Sequence, residues 1–335
     1  MSDGTDLAGL CERLQRRAGL SGKRDIQAPA ERFAHQPFAA LGPAAALGDD
    51  AALLPASGSP LLLACEGLQP ELVAEDPWFA GWCGVLVNLS DIAAMGGRPL
   101  ALVNSLWCRD PQRAEPLLAG LRHGCDTFGI PMVGGHTNLR SPYDALSVAV
   151  LGTAPGPVLS ARLARPGQCC VLLIDPAGRF HRHYPFWDAA TQAEPARLRR
   201  QLELLVQLAC AGLVQAAKDI SMGGLVGTAV MLVEAAGCGL ELDLTAITPP
   251  AGVALEPWLT CFPSYGYLLA CDPERLAPLQ AAAAPLELLC QPIGSFLPPT
   301  DGPGGLWLRR GLEQVCLWQP GSPLTGFTAL EGEKS

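Results

Sequence analysis

Between Trp78 and Met95 the chain sets apolar residues at three- and four-residue steps: Trp78, Trp82, Val85, Leu86, Leu89 and Ile92. That spacing is an amphipathic helix with one face buried, and a helix so apolar demands a packed layer beside it. Gly84, Asn88 and Asp91 fall on a second stripe of the same helix, and Gly96-Gly97 with Pro99 behind them supply the stop signals. An amide and a carboxylate on a mostly buried helix read in one of two ways. They form a face for a metal or phosphate, or they are a solvated stripe or an internal cap.

Around this helix the sequence alternates short apolar runs with helical ones. Leu61–Cys65, Leu100–Trp107, Pro131–Val133 and Ala145–Leu151 read as strands, and Pro116–Phe128 as a helix. The turn chemistry of Pro155-Gly156-Pro157 marks a domain boundary. Beyond it, Cys169–Ile174, Leu240–Leu244 and Tyr265–Ala270 read as strands, Arg197–Ala217 and Gly223–Ala236 as helices, and the stretch after Gln291 as loop-rich. A chain of 335 residues exceeds a typical single core. The pattern therefore predicts two domains that each mix helices and strands, α+β or α/β. The expected divisions are a mobile N-terminal segment over 1–45, a first domain over 46–155, a second over 156–320 and a tail over 321–335.

Hydrophobic residues make up 49% of the chain and charged residues 16%, which places it among ordinary, rather apolar globular proteins. A net charge of -9 argues against nucleic acid and anionic membrane as partners. No uncharged apolar run reaches membrane-spanning length, and Asp3, Asp6 and Glu12 do not look like a signal peptide, so the expected location is cytoplasmic. The thirteen cysteines form no CxxC pair and no Cys/His array, and they read as reduced, small apolar residues.

Four polar or glycine-rich clusters interrupt the apolar pattern. Gly48-Asp49-Asp50-Ala51-Ala52 puts adjacent carboxylates in a turn, and Asn88–Gly97 is the second cluster. Gly134-Gly135-His136-Thr137-Asn138 leaves backbone amides open to phosphate oxygens. Lys218-Asp219-Ile220-Ser221-Met222-Gly223-Gly224 runs into a helix N-terminus. Hard Mg²⁺ takes carboxylate oxygens together with water and phosphate. Asp49, Asp50, Asp91 and Asp219, with Glu66 at the end of its strand, are the candidate ligands. Each cluster also has a plain reading: Gly-Asp-Asp as a turn, Asp219 or Ser221 as a helix cap. Neither a phosphate-binding loop of the G-x-x-x-x-G-K-[ST] type nor a GxGxxG after a strand is present.

Taken in order and at these separations, the four clusters resemble the aminoimidazole ribonucleotide (AIR) synthetase superfamily, which includes thiamine-monophosphate kinase and selenophosphate synthetase. The resemblance runs over about residues 45 to 270. It implies a PurM-like N-terminal domain whose sheet forms a barrel with a second subunit, hence a homodimer, and a PurM-like C-terminal α+β domain. It further implies ATP and several Mg²⁺ ions as cofactors, and transfer of a phosphoryl group to a small-molecule acceptor. Carried over by motif, Asp49, Asp50, Asp91 and Asp219 match the metal motifs, and Glu66 stands where thiamine-monophosphate kinases have an Asp. Asn88 matches the nucleotide-facing Asn. Gly48, Gly134, Gly135 and Thr137 fall in ATP-facing positions, while Asp50, Asp91, Asp219 and His136 are the catalytic set. Lys23, one of three lysines, matches a segment that closes over phosphates in selenophosphate synthetase, or is a solvated loop lysine.

The sequence also departs from that pattern. His136 replaces the Asp of the kinases' Gly-Gly-Asp-Thr, as in selenophosphate synthetases. Met222 stands in place of a second carboxylate, and Phe262-Pro263-Ser264-Tyr265-Gly266 replaces a late acidic motif. The nucleotide half looks kept and the acceptor half rebuilt. His181, His183 and Trp187, in the stretch 178–188, together with Tyr265 are the candidate acceptor-binding residues; the alternative is a surface loop pinned by Trp187. His136 reads as a substrate ligand or acid–base group, imidazole being the side chain that titrates near neutrality, or as a buried hydrogen-bonded histidine. The acceptor stays open. So does the alternative of a non-catalytic ATP-binding partner or regulatory subunit of the same fold.

Overall fold

The computed structural model describes residues 6–27, 49–54, 56, 58–300 and 304–327. It divides into two α+β units, the first made of Asp50–Pro157 and Ala193–Cys210, the second of Met1–Asp49, Val158–Gln192 and Ala211–Ser335. The longer helices are, in chain order, α1 (Leu7–Gln15), α2 (Pro77–Ala94), α3 (Pro111–Phe128), α4 (Pro195–Cys210) and α5 (Gly224–Ala236).

The first unit carries β1 (Ala52–Leu54), β2 (Leu61–Gly67), β3 (Arg98–Trp107), β4 (Met132–Asn138) and β5 (Ala145–Thr153), in the order β1-β2-β5-β3-β4. β4 runs parallel to β3 and the other pairs are antiparallel. Along β5 the pleat turns Leu146, Val148 and Val150 inward. A Cβ added at Gly84 of α2 would meet Val148 and Leu146 at 3.1 and 3.4 Å, so α2 lies directly on this face. On its other side α2 crosses α3 backbone to backbone. Cβ atoms at Gly81 and Gly120 would fall 2.2 Å from the Leu117 carbonyl oxygen and 2.0 Å from that of Trp78. α2 is thus buried on nearly every face rather than on one, at fourteen of its eighteen residues.

Three further readings are corrected in this unit. α3 begins at Pro111, capped by Asp110, whose side chain accepts from the Arg113 amide, and Pro116 lies inside it. The Gly-Gly-His-Thr cluster is not a loop after a strand but part of β4. α4 belongs here, not to the domain in which it falls in sequence. Its Arg199 donates to the Thr127 and Asp126 carbonyls in the last turn of α3 at 2.6 and 2.8 Å, a cation on a helix C-terminus.

In the second unit the strands are β6 (Cys169–Ile174), β7 (Arg179–Phe180), β8 (Phe186–Asp188), β9 (Ala216–Asp219), β10 (Gly239–Asp243), β11 (Phe262–Pro263), β12 (Gly266–Cys271), β13 (Leu289–Leu297), β14 (Leu306–Arg310) and β15 (Glu313–Trp318). Seven form one sheet, β15-β14-β10-β13-β6-β12-β9, and β11-β8-β7 form a small one. The stretch after Gln291, expected to be loop-rich, completes β13 and supplies β14 and β15, and Ala216 and Ala217, expected to end a helix, open the edge strand β9. Regular structure also begins well before Gly48: α1 buries Leu7, Leu10, Cys11 and Leu14, and Gln15 donates to the Leu317 carbonyl of β15. All thirteen cysteines are free thiols, and burial pushes several up, Cys11 to about 11 and Cys271 to about 12, which keeps them protonated.

Candidate active site

In the first unit α2 brings Asn88 and Asp91 into a dry setting. Asn88 is 0% exposed; its Nδ2 donates to the Gly84 carbonyl at 2.8 Å, and its Oδ1 has no hydrogen-bond partner. Asp91, one turn on, is 6% exposed and offers a carboxylate oxygen within 4.8 Å of one from Asp50. Two carboxylates that close repel unless a cation neutralises them, and an all-oxygen pair suits a hard divalent ion such as Mg²⁺. Glu66 lies exposed near the end of β2, where its carbonyl accepts from the Ser147 hydroxyl at 3.1 Å.

Gly134, Gly135, His136 and Thr137 are exposed along β4, which pairs through one edge with β3 and ends the sheet. The His136 ring tilts against Trp107 with centroids 6.0 Å apart, so the buried-histidine reading is excluded. Beside the start of β4 opens a cavity of about 600 Å³. Leu118, Leu121, Ile130 and Met132 line it, with Arg122 and Asn104, whose Oδ1 has no partner. The sequence reading had no signal for this cavity, because its walls come from β3, α3 and the link to β4.

Asp219, 6% exposed, ends β9 in the second unit, next to buried Lys218. The loop after it is held by Thr228 of α5, whose Oγ1 donates to the Asp219 carbonyl and accepts from the Ser221 amide, both at 3.3 Å. Gly223 is the N-cap of α5, and the buried Ser221 hydroxyl has no hydrogen-bond partner, so Ser221 is not a helix cap. Met222 is exposed. A Cβ at Gly19 would lie 2.1 Å from the Met222 carbonyl oxygen, so the N-terminal segment presses on this loop. Lys23 follows, half-buried in a 3₁₀ turn over Gly22–Ile26. Arg24 lies 5.5 Å over the Trp318 ring, and Gln27 donates to the Pro323 and Leu324 carbonyls at 3.1 Å. Those C-terminal residues are themselves anchored to Glu234 of α5. Its buried carboxylate accepts from the amides of Leu324, Thr325 and Gly326 and from the Thr325 hydroxyl.

Asp49 belongs to the second unit and its carboxylate is already engaged. One oxygen accepts a short bond from the Ser160 hydroxyl, and the other accepts from the Ala161 amide at 3.2 Å. Gly48 lies outside the described residues.

Residues 179–188 form the β7–β8 hairpin. Trp187 is 4% exposed and packs edge-on against Trp258 and Phe180, and Tyr265, 5% exposed, packs edge-on against Tyr267. Both are buried aromatic side chains. The hairpin is pinned by Trp187, while His181 and His183 sit at its tip against Tyr184.

Residues 48–154 match the AIR synthase related protein, N-terminal domain, and residues 177–301 match its C-terminal domain. The chain is 44% identical to the uncharacterized protein sll0787 of Synechocystis sp. over 96% of its own length and 99% of that protein. It is 30% identical to a selenide, water dikinase of Trichlorobacter lovleyi over 72% of this chain and 81% of that one. The fold is shared with Thermotoga maritima PurL in complex with ATP, at a TM-score of 0.69 and 17% identity, covering 95% of this chain. That match takes in 51% of PurL, so the chain spans about half the length of the synthase. No helix among the described residues is long and apolar enough to cross a membrane.

Proposed function

Because the chain belongs to the AIR synthase related family, we propose that it is an ATP- and Mg²⁺-dependent enzyme that phosphorylates an oxygen of a small-molecule acceptor. The observation that carries this reading is the pair Asp50 and Asp91, with carboxylate oxygens within 4.8 Å and Asp91 buried. Asp219 is assigned the same ligand role, and Glu66 a weaker, exposed one. Bound Mg²⁺ would screen phosphate charge and hold the γ-phosphoryl group for in-line attack. A bond then forms from the acceptor oxygen to the γ-phosphorus as the bond to the β,γ-bridging oxygen breaks and ADP leaves. Exposed His136 is assigned to take the acceptor's proton. The amides of Gly134 and Gly135, the Thr137 hydroxyl and Lys23 are assigned to phosphate oxygens, and Asn88 is assigned to the nucleotide side of the site.

The cavity beside β4 is our choice for the adenine ring. Its apolar walls from Leu118, Leu121, Ile130 and Met132 offer contact to the faces of a ring. His181 and His183 remain the proposed acceptor contacts. A homodimer is also proposed, since one face of the first sheet is apolar and exposed: Leu63 pairs with Leu151, and Val103 with Ala149 on the same side. The alternative of a non-catalytic ATP-binding subunit draws on Met222, exposed where a carboxylate was expected.

The test is ADP formation with Mg²⁺-ATP, alone and across an acceptor panel headed by thiamine monophosphate, with Asp91→Asn as the blank. Acceptor-stimulated turnover that the variant abolishes supports the enzyme. ATP binding without turnover for any acceptor supports the non-catalytic subunit, and turnover unchanged in Asp91→Asn refutes the site.

A further inference from the structure

The segment that carries Lys23 is fastened at successive points, each of them within the second unit. Arg13 and Arg17 donate to the two oxygens of Glu256, in the short helix Leu255–Thr260, at 2.9 and 2.8 Å. Gly19 lies so close to the loop after Asp219 that a Cβ there would stand 2.1 Å from the Met222 carbonyl oxygen. Leu20, 1% exposed, belongs to the core of this unit, and a Cβ at Gly227 of α5 would meet its Cδ1 at 3.5 Å. The Leu20 and Ser21 amides both donate to the Arg17 carbonyl, at 3.0 and 2.9 Å, so the backbone closes a turn around that anchor. Beyond Lys23, Arg24 covers the Trp318 ring. The Gln27 side-chain amide gives both its hydrogens to neighbouring carbonyls, those of Pro323 and Leu324. Lys23 thus sits between a buried leucine and a two-pronged hydrogen bond.

A segment that opens and closes over a ligand is drawn from the weakly held parts of a fold, with few buried apolar contacts. This one has the opposite character. Releasing it would carry Leu20 out of the core and strip Glu256 of two guanidinium partners. At Gly19 the fit is to a backbone carbonyl, not to a side chain that could swing aside. We propose that residues 17–27 form a fixed wall of the second unit, holding Lys23 in place before any nucleotide binds, with Gln27 as the positioning residue for that turn. The inference rests on the reading of Lys23 as a phosphate contact given above, and it puts preorganisation in place of closure. An ammonium group already held where it is needed costs little ordering when an anion arrives.

The experiment is amide hydrogen exchange of the full chain over peptides covering 17–27, with and without Mg²⁺-ATP, beside calorimetric titration with Mg²⁺-ATP. Without nucleotide, the parent's amides there should exchange at least about tenfold slower than an open chain, and ATP should change them less than about threefold. Gln27→Met has a similar length and no donors. It should speed exchange over 21–27 about tenfold and weaken ATP binding about fivefold, with exchange in α5 unchanged. In a Lys23→Ala background, Gln27→Met should no longer weaken ATP binding, because the group it positions is gone. A general loss of structure would not spare that background. Open-chain exchange over 17–27 that slows about tenfold or more on adding Mg²⁺-ATP reveals a closing lid and overturns the proposal. So does an equal loss of affinity from Gln27→Met with and without Lys23, or parent-like exchange in Gln27→Met. Lys23→Ala that binds ATP like the parent refutes the phosphate reading of Lys23 instead. That failure is recognisable as separate, because the nucleotide-free exchange rates do not depend on it.

Discussion

Glu234 holds the C-terminal segment by one buried carboxylate, and replacing it with glutamine tests how strongly. Oε1 accepts from the Leu324 and Gly326 amides at 3.0 and 3.1 Å, and Oε2 from the Thr325 amide and hydroxyl at 2.9 and 2.6 Å. In Glu234→Gln one carbonyl oxygen keeps two of these contacts in weaker, neutral form, and an NH₂ faces the other two donors. The Thr325 hydroxyl can rotate to accept, but its amide cannot, so one donor is left confronting another. Bonds to a charged group contribute about 1.5–3 kcal/mol each. Losing one outright and weakening the rest puts the cost at about 3–5 kcal/mol. Equilibrium unfolding in urea, compared at equal slope, measures it. A second pair of proteins, truncated after Ser322 with Glu or Gln at 234, isolates the cause: with the acceptor's partners gone, the substitution should be nearly neutral. A full-length loss below about 1 kcal/mol, or an equal loss in the truncated pair, refutes the reasoning.

Other perturbations read other parts of the molecule. Gly120→Ala drives a methyl group into the Trp78 carbonyl; despite the better helix propensity of alanine it should cost about 2 kcal/mol or more in a denaturant melt. Leu118→Arg, at a half-exposed wall of the β4 cavity, should weaken ATP binding at least about tenfold while Mn²⁺ binding is kept, read by two separate titrations. Asp272 is held below the usual carboxylate range first by the Gln168 amide and then by Arg165. Its stabilising contribution is therefore complete above its ordinary value near 3.8 and lost as pH falls through the lowered folded value. Asp272→Asn should flatten the acid limb of a urea-midpoint-against-pH curve, and an unchanged acid limb counts against the assignment.

The helix α2 was legible because its repeat is strong, but its all-round burial was not. Nothing local shows that Gly81 and Gly120 let a second helix approach from the far side. α1 carries the same kind of signal in Leu7, Leu10, Cys11 and Leu14; the polar residues around it hid a helix that its spacing announces. Ala216-Ala217-Lys218-Asp219 has helix-forming composition, yet it becomes β9 because β12 offers it an open edge, a tertiary choice that overrides propensity. Gly134-Gly135 has poor strand propensity and is strand only through its pairing with β3. Residue types at motif spacing singled out Asp50, Asn88, Asp91 and Asp219 as candidates. The partner that sets Asp49 apart, Ser160, lies 111 residues away, beyond the reach of any local pattern.

The way the units are threaded also orders their birth on the ribosome. The first unit needs α4, so it stays incomplete until residue 210 has been made, by which time β6, β7 and β8 of the other unit have already been synthesised. The second unit waits longer still. Gln15 of α1 binds the Leu317 carbonyl of β15, which follows it by 302 residues. At about 5–20 residues per second, that apolar stripe spends tens of seconds without its partner. A cut after residue 157 would yield neither unit whole, and α1 finds its place only once β15 has been made.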